Sequence, residues 1–519
     1  MKIKISNELN RHANIYFIFG CVLNLVLSIL PRLIFLKNIP SPWRGTQTLI
    51  TSFWFQKSGI SLFNYQTPLF GPPWKVPFEF PLYQAICTIF SKIIGKSLTS
   101  SSHVVSLAIF YLSALFLILL SLEFLQSKTL TLIIFVVYLW LPYNIRYSTE
   151  ILIDYLSVAL ALSYIYWIKK WFDSPRNYLI LVFAIISGCL GAVVKISTMP
   201  IIIVPAILIA LNGILSWGIR LEDFSSWKKI IDQVRKHRLS LLLLMGIVIL
   251  PLLSIILWTR FTDGIKHANI YTDWLTSTNL SGWYFGSLPM KLSLTNWLNW
   301  LTKIHTYFFN GAILIFPILG ILLLYKMPVK SRFFFGSALI GSFLVIFIFF
   351  NLYLHEYYYI SISAYMSVLI GIGIYCLYKY ILPHKVWWGV LSGVLFFFVF
   401  LGGVEQYQGI RKTVNAEGLG EYSSFVPMAN KVTAITPEGG YIISLQSDWY
   451  PDFLFFAQRK GLVISPRNEA QFTCASIANI NYTTLVSVNM PANSPAELAI
   501  LKCFKSAHLI EPGLYRIAP

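Results

Sequence analysis

The chain has 519 residues, of which 56% are hydrophobic and only 12% charged, about half the charged share of a soluble domain. That balance excludes an ordinary soluble globule and requires contact with lipid. A formal charge of +19 suggests nucleic acid in a soluble chain, but here the basic residues gather at the ends of apolar runs, which marks topology and argues against a nucleic-acid partner.

Apolar runs suited to a hydrocarbon core of about 30 Å are predicted at Ile15 to Phe35, Val104 to Leu125, Leu130 to Leu141, Ile151 to Ile168, Tyr178 to Val194, Met199 to Trp217, Leu239 to Trp258, Phe308 to Tyr325, Phe333 to Phe350, Tyr358 to Tyr378 and Val386 to Gly403. The expected fold class is a polytopic α-helical membrane protein with about eleven transmembrane helices. Lys2, Lys4 and Arg11 precede the first span. Lys169, Lys170 and Arg176, then Lys228, Lys229, Arg235, Lys236 and Arg238, then Lys326, Lys330 and Arg332 fill later loops on the same side. The positive-inside rule makes that side cytoplasmic, with the N-terminus, and an odd number of spans sends the C-terminal tail outside. Arg44, Lys57 and Lys75 lie in a long outer segment, where the rule is weak.

Three parts follow. Residues 1–404 form the membrane body, with two large external loops at about 37–102 and 260–307; residues 405–519 form a small periplasmic α/β domain. Leu49 to Phe55 and Leu82 to Ile94 in the first loop are too short or too polar to span and read as interfacial. The second loop carries Trp274, Trp283, Trp297 and Trp300, residues favoured at headgroup depth. In the tail, Tyr441 to Leu445, Gly461 to Ile464, Thr484 to Val488 and Leu514 to Ile517 read as strands. Ser424 to Ile435, Phe453 to Lys460 and Pro495 to Phe504 read as helices. Of six cysteines, Cys21, Cys87, Cys189 and Cys376 lie in or near apolar segments and read as packing residues. Cys474 and Cys503 fall in the tail, where an oxidising compartment allows a disulfide.

Between Arg11 and Leu122 the one carboxylate is Glu79, in a non-spanning loop that also holds Trp43, Arg44, Gln47 and Trp74. It reads either as a helix-start acid beside Pro81 or as part of a site. Under the topology above, Glu79, Glu150, Asp154, Lys195, His355 and Glu356 all reach the outer boundary, where an ionisable group at the edge of lipid is usually functional. Glu150 and Asp154 are four apart and share a face if both are helical, with Arg146 one turn earlier as a neutralising partner. Lys195 either snorkels or offers a fixed cation to a phosphate. His355, Tyr357 and Tyr358 bring a cation-capable imidazole and phenol donors to the same boundary.

One outward carboxylate, several cations and aromatic walls suit attack by an acceptor hydroxyl on a sugar whose leaving group is a lipid phosphate. The carboxylate takes the proton and the cations hold the departing charge. A phosphate leaves unprotonated, so the paired carboxylates of glycoside hydrolysis are not needed. The sequence has no Walker loop, HExxH, nucleophile elbow or cysteine-histidine metal spacing. No cofactor is expected, although a loosely bound divalent cation is compatible with the residues.

The strings Trp43-Arg44-Gly45-Thr46-Gln47-Thr48, Glu79-Phe80-Pro81-Leu82-Tyr83 and Leu152-Ile153-Asp154-Tyr155-Leu156, with Gly191 to Lys195 and His355-Glu356-Tyr357-Tyr358, carry a resemblance in order and placement. Asp448-Trp449-Tyr450-Pro451 and Arg459-Lys460-Gly461 add to it in the tail. The chain resembles the GT-C class of membrane glycosyltransferases, in particular the family-39-like group related to protein O-mannosyltransferases and the lipid A aminoarabinose transferase. The resemblance implies a polyprenyl-phosphate-linked sugar donor, an envelope lipid, glycan or protein acceptor, and action on the outer face of the bacterial inner membrane. Relatives place an Asp where this chain has Gln47, and Gln is no base. The expected roles are therefore Glu79 as base, Asp154 as supporting acid, and Arg44, Gln47, Tyr83, Lys195, His355, Tyr357 and Tyr358 as substrate-binding residues. The alternatives are a non-catalytic lipid-linked sugar translocator, a scaffold of polysaccharide assembly, or an inactive relative.

Overall fold

The computed structural model describes residues 2–33, 36, 43–174, 177–198, 207, 227–308, 311–381, 393–394, 421–491 and 494–518. The expected spans Met199 to Trp217 and Val386 to Gly403 lie outside the described residues, apart from isolated positions.

Eight helices come first: α1 (Lys2–Leu33), α2 (Arg44–Ser58), α3 (Leu82–Ile94), α4 (Leu98–Leu125), α5 (Lys128–Trp140), α6 (Pro142–Tyr147), α7 (Asp154–Asp173) and α8 (Tyr178–Val194). Then follow α9 (Trp227–His267), α10 (Ser281–Phe285), α11 (Leu288–Leu292), α12 (Leu294–Phe308), α13 (Ile315–Leu322), α14 (Val329–Ile348) and α15 (Ile360–Cys376). Among the described residues five helices are long and apolar enough to cross a membrane: Asn14–Leu33, Leu98–Leu125, Leu241–His267, Val329–Ile348 and Glu356–Tyr380.

Two of the expected spans do not form a single helix long enough to cross a bilayer. Helix α5 has 13 residues, or about 20 Å at 1.5 Å per residue, less than the core of a bilayer. Phe308 to Tyr325 breaks into the 3-10 turn Gly311–Leu314, the eight-residue α13 and the 3-10 turn Leu324–Lys326. Helix α13 gains its place by close approach: a Cβ on Gly373 of α15 would collide with the Phe316 backbone, the small-residue contact favoured between helices in lipid. Leu49 and Ile50 are fully buried, so α2 is an internal helix and not the interfacial one its hydropathy suggested.

The bundle also holds a guanidinium that the sequence did not reveal. Arg32, near the end of α1, is fully buried and donates to Ser28 O and Leu139 O at 2.6 Å and to Ser148 Oγ at 2.8 Å. Its face lies 4.8 Å from the Phe110 ring centre. Carbonyls and a ring thus satisfy a buried charge that has no ion pair among the described residues.

The tail carries α16 (Glu421–Ile435), α17 (Asp452–Ala457), α18 (Cys474–Ile477) and α19 (Pro495–Leu501) around a five-stranded sheet. Its strands β1 (Tyr441–Gln446), β2 (Gly461–Ile464), β3 (Tyr482–Val488), β4 (Ser506–Glu511) and β5 (Leu514–Ala518) run in the order β2-β1-β3-β5-β4. The β1 strand pairs parallel with β2 and β3, and β5 pairs antiparallel with β3 and β4. Strand β4 was not expected, because Leu509 and Ile510 are both exposed and the segment lacks alternation. Cys474 and Cys503 form a disulfide.

The tail's core does not end at the tail. Ile50, Leu69, Phe70, Val76, Tyr271 and Leu275 from the two large loops share one buried cluster with Ile443, Leu462 and Val486. Gly71 N–H donates to Gly461 O at 3.0 Å, Gly461 N–H to Pro68 O at 3.2 Å and Val463 N–H to Leu69 O at 2.7 Å. The first loop thereby covers the β2 edge, which would otherwise present unpaired backbone groups. Asn269 Nδ2 donates to Phe70 O at 2.9 Å, and Tyr271 hydroxyl meets Ser476 Oγ at 2.5 Å, binding the second loop to both.

Candidate active site

Helix α2 starts at Arg44, directly after Trp43, whose backbone takes φ 61° and ψ −69°. A positive φ costs a bulky residue about 1–3 kcal/mol and persists where surroundings impose it. Here Trp43 N–H donates to Asp452 Oδ1 at 2.9 Å, and Thr46 Oγ1 donates to the same oxygen at 3.0 Å. The tail supplies the capping carboxylate that a tryptophan lacks.

Arg44 Nη1 donates to Gln47 Oε1 at 2.7 Å, and Nη2 donates to Glu79 Oε2 at 3.3 Å. Gln84 Nε2 donates to Glu79 Oε1 at 3.0 Å. Both oxygens of Glu79 are thus engaged, and the side chain is buried. Its segment is held by Tyr65 hydroxyl donating to Glu79 O at 2.6 Å and by Phe80 N–H donating to Val193 O at 3.2 Å. The second bond sets Glu79 against the end of α8, two residues before Lys195.

Asp154 opens α7, and its Oδ1 is ion-paired with the Lys195 ammonium. Asp154 Oδ2 is buried with no hydrogen-bond partner among the described residues. An orphaned carboxylate oxygen is costly and calls for a reason. The ammonium also lies 4.2 Å from the Tyr358 ring centre and 5.3 Å from that of Tyr357, and the charges of Arg44 and Glu79 reach it. The two ion pairs therefore occupy one electrostatic field. Glu150 precedes the helix in irregular backbone, so it does not share a helical face with Asp154 as the spacing suggested. Arg146 pairs with Glu356 at 3.2 Å.

His355 has ring contacts with Trp43 at 6.4 Å, Trp283 at 5.3 Å and Tyr357 at 5.9 Å. Burial, with the Lys303 charge as a lesser cause, lowers its pKa below the ordinary histidine value. Tyr83 is placed elsewhere: its fully buried hydroxyl meets Ser106 Oγ at 2.5 Å and Ser102 O at 3.3 Å on α4. It is a packing residue.

Sequence reasoning missed Lys266. The expected span stopped at Trp258, but α9 continues to His267 and delivers a buried ammonium 4.0 Å from Asp263, within the field of Glu79. The signal was present, since an apolar run followed by a lysine two turns on is a span end. Asp452 was missed, and Trp449 was read only as part of the tail's resemblance, because nothing local ties the tail to α2.

No protein-family model matches the chain, and no curated protein does. Solved structures do. ArnT from Cupriavidus metallidurans bound to undecaprenyl phosphate superposes with a TM-score of 0.58 at 10% identity, covering 98% of each chain. The archaeal oligosaccharyltransferase AglB from Archaeoglobus fulgidus, in complex with an inhibitory peptide and a dolichol-phosphate, gives 0.58 at 13% identity over 91% of this chain and 69% of its own. The arabinofuranosyltransferase AftD from Mycobacteria gives 0.50 at 12% identity, over 97% of this chain and 40% of its own. The chain therefore has the fold of the GT-C membrane glycosyltransferases.

Proposed function

We propose that the protein transfers a sugar from a polyprenyl-phosphate donor to an envelope lipid, glycan or protein hydroxyl on the outer face of the bacterial inner membrane, with inversion at the sugar carbon. The observation that carries this reading is Asp154 Oδ2, buried without a hydrogen-bond partner among the described residues, on a carboxylate paired with Lys195 and within the field of Arg44. The lipid phosphates bound by ArnT and AglB support it.

The acceptor hydroxyl gives its proton to Asp154 Oδ2 as its oxygen attacks the anomeric carbon. The carbon–oxygen bond to phosphate breaks, and the departing charge is held by Lys195 and Arg44, with Lys266 nearby. Glu79, whose oxygens are both occupied, serves here to aim Arg44 together with Gln47. Gln47 thus stands where a base is absent but orientation is kept, and the base role passes to Asp154. Among the described residues no group of three His, Cys, Asp or Glu side chains forms a metal site, and no step is routed through a metal.

The test is transfer of radiolabelled sugar from a panel of polyprenyl-phosphate sugars to envelope lipid and glycan extracts. Wild type should transfer, Asp154→Asn should lose about 100-fold or more in rate with donor binding retained, and Glu79→Gln should weaken donor binding. Full transfer by Asp154→Asn at normal protein levels would remove it as base. Donor binding without transfer, with movement of donor across vesicle membranes, would support a translocator instead.

A further inference from the structure

We propose that Asp452 is a positioning residue of the candidate site, capping α2 from the C-terminal tail and so directing the Arg44 guanidinium. This rests on Arg44 as a phosphate ligand in the function proposed above. Three observations carry it.

Helix α2 has no cap of its own: Trp43 offers no side-chain oxygen and holds a positive φ. The missing acceptor comes from Asp452, which takes hydrogen bonds from Trp43 N–H and Thr46 Oγ1. A carboxylate there also complements the positive end of the helix dipole. It fixes the turn from which Arg44 projects.

The same segment touches both sides of the Arg44–Glu79 ion pair. The Trp449 ring meets Trp43 edge-on at 5.1 Å and stacks on Phe78 at 5.4 Å and 17°. Trp43 is the neighbour of Arg44, and Phe78 is the neighbour of Glu79. Residues 449–452 therefore hold the two partners at a fixed separation. The membrane body alone contains every charged group of the pair, yet the tail sets their geometry.

The experiment uses the full chain in lipid nanodiscs, with undecaprenyl phosphate as probe and deuterium uptake over residues 43–48 as a second readout. Asp452→Ala, which removes the accepting oxygen, should raise the Kd about fivefold to tenfold, the size of a lost helix cap. Thr46→Val, which removes one of the two bonds from the other side, should act in the same direction, and both should raise uptake over 43–48. In an Arg44→Ala background, Asp452→Ala should add little to the loss of binding, because the two residues act through one contact. Glu469→Gln, an exposed acid of the tail, should change neither readout. Wild-type binding and uptake in Asp452→Ala, or fully additive losses with Arg44→Ala, would overturn the proposal. If Asp452→Ala fails to fold, Thr46→Val carries the test. If the wild type binds no undecaprenyl phosphate, the donor assignment fails, and uptake over 43–48 still decides the cap: unchanged uptake overturns it and raised uptake upholds it.

Discussion

Lys195 pairs with one oxygen of Asp154 and leaves the other buried, with no hydrogen-bond partner among the described residues. The pair joins the end of α8 to the start of α7, so it is structural as well as part of the proposed site. Removing one partner of a buried ion pair strands a charge, at about 3–5 kcal/mol. Lys195→Met should therefore lower the thermal midpoint in detergent, and Lys195→Met with Asp154→Asn should recover most of it. Neither variant should transfer sugar. Recovery of stability without recovery of transfer separates the two roles; recovery of both would show the pair to be packing alone.

Arg32 should behave in the opposite way. Its three hydrogen bonds point along different directions to Ser28, Leu139 and Ser148, which the single ammonium of a lysine does not reproduce. Arg32→Lys should cost roughly 1–3 kcal/mol of stability, with undecaprenyl phosphate affinity unchanged. Differential scanning fluorimetry beside a binding titration checks both halves.

The disulfide between Cys474 and Cys503 closes a loop with a sequence separation of 29. Loop-closure entropy for such a length is about 3–4 kcal/mol. Reduction, or Cys474→Ser with Cys503→Ser, should lower tail stability by that order and increase deuterium uptake in β3 and α19. An unchanged melting curve after full reduction would contradict this.

Alkaline stability should depend in part on the Tyr515 phenol. Tyr515 hydroxyl donates to Glu497 Oε1 at 2.7 Å, and that bond to a buried carboxylate, more than burial itself, pushes the phenol up to about 12. An unfolded tyrosine ionises near pH 10. The folded pKa is the higher one, so this contribution is complete below about pH 10 and is lost as pH rises toward 12. Tyr515→Phe should start less stable and show a shallower decline over that window, followed by tyrosinate absorbance and tryptophan fluorescence together.

Arg44, Glu79, Asp154 and Lys195 were legible in the sequence because each is a rare charge at the boundary of an apolar run, and lipid makes such charges expensive. Strands β1, β2, β3 and β5 were legible from apolar character between turn residues. What failed to show was contact between distant segments. Nothing near Asp452 announces that it caps α2, and nothing near Tyr83 announces that α4 claims its hydroxyl. The engagement of both Glu79 oxygens by Gln84 and Arg44 is hidden in the sequence for the same reason: hydrogen-bond occupancy is a property of the folded chain. Helix α13 escaped because a broken helix and a continuous one have the same hydropathy.

The pairing of Phe70 with Leu462 links a loop made early in synthesis to a strand made near its end. Contacts so far apart in sequence form late, since chain closure must come first. A nascent protein with its early helices already in the bilayer would still lack the carboxylate that accepts from Trp43 N–H and Thr46 Oγ1, so the first turn of α2 gains its cap only after the strand-bearing tail is made.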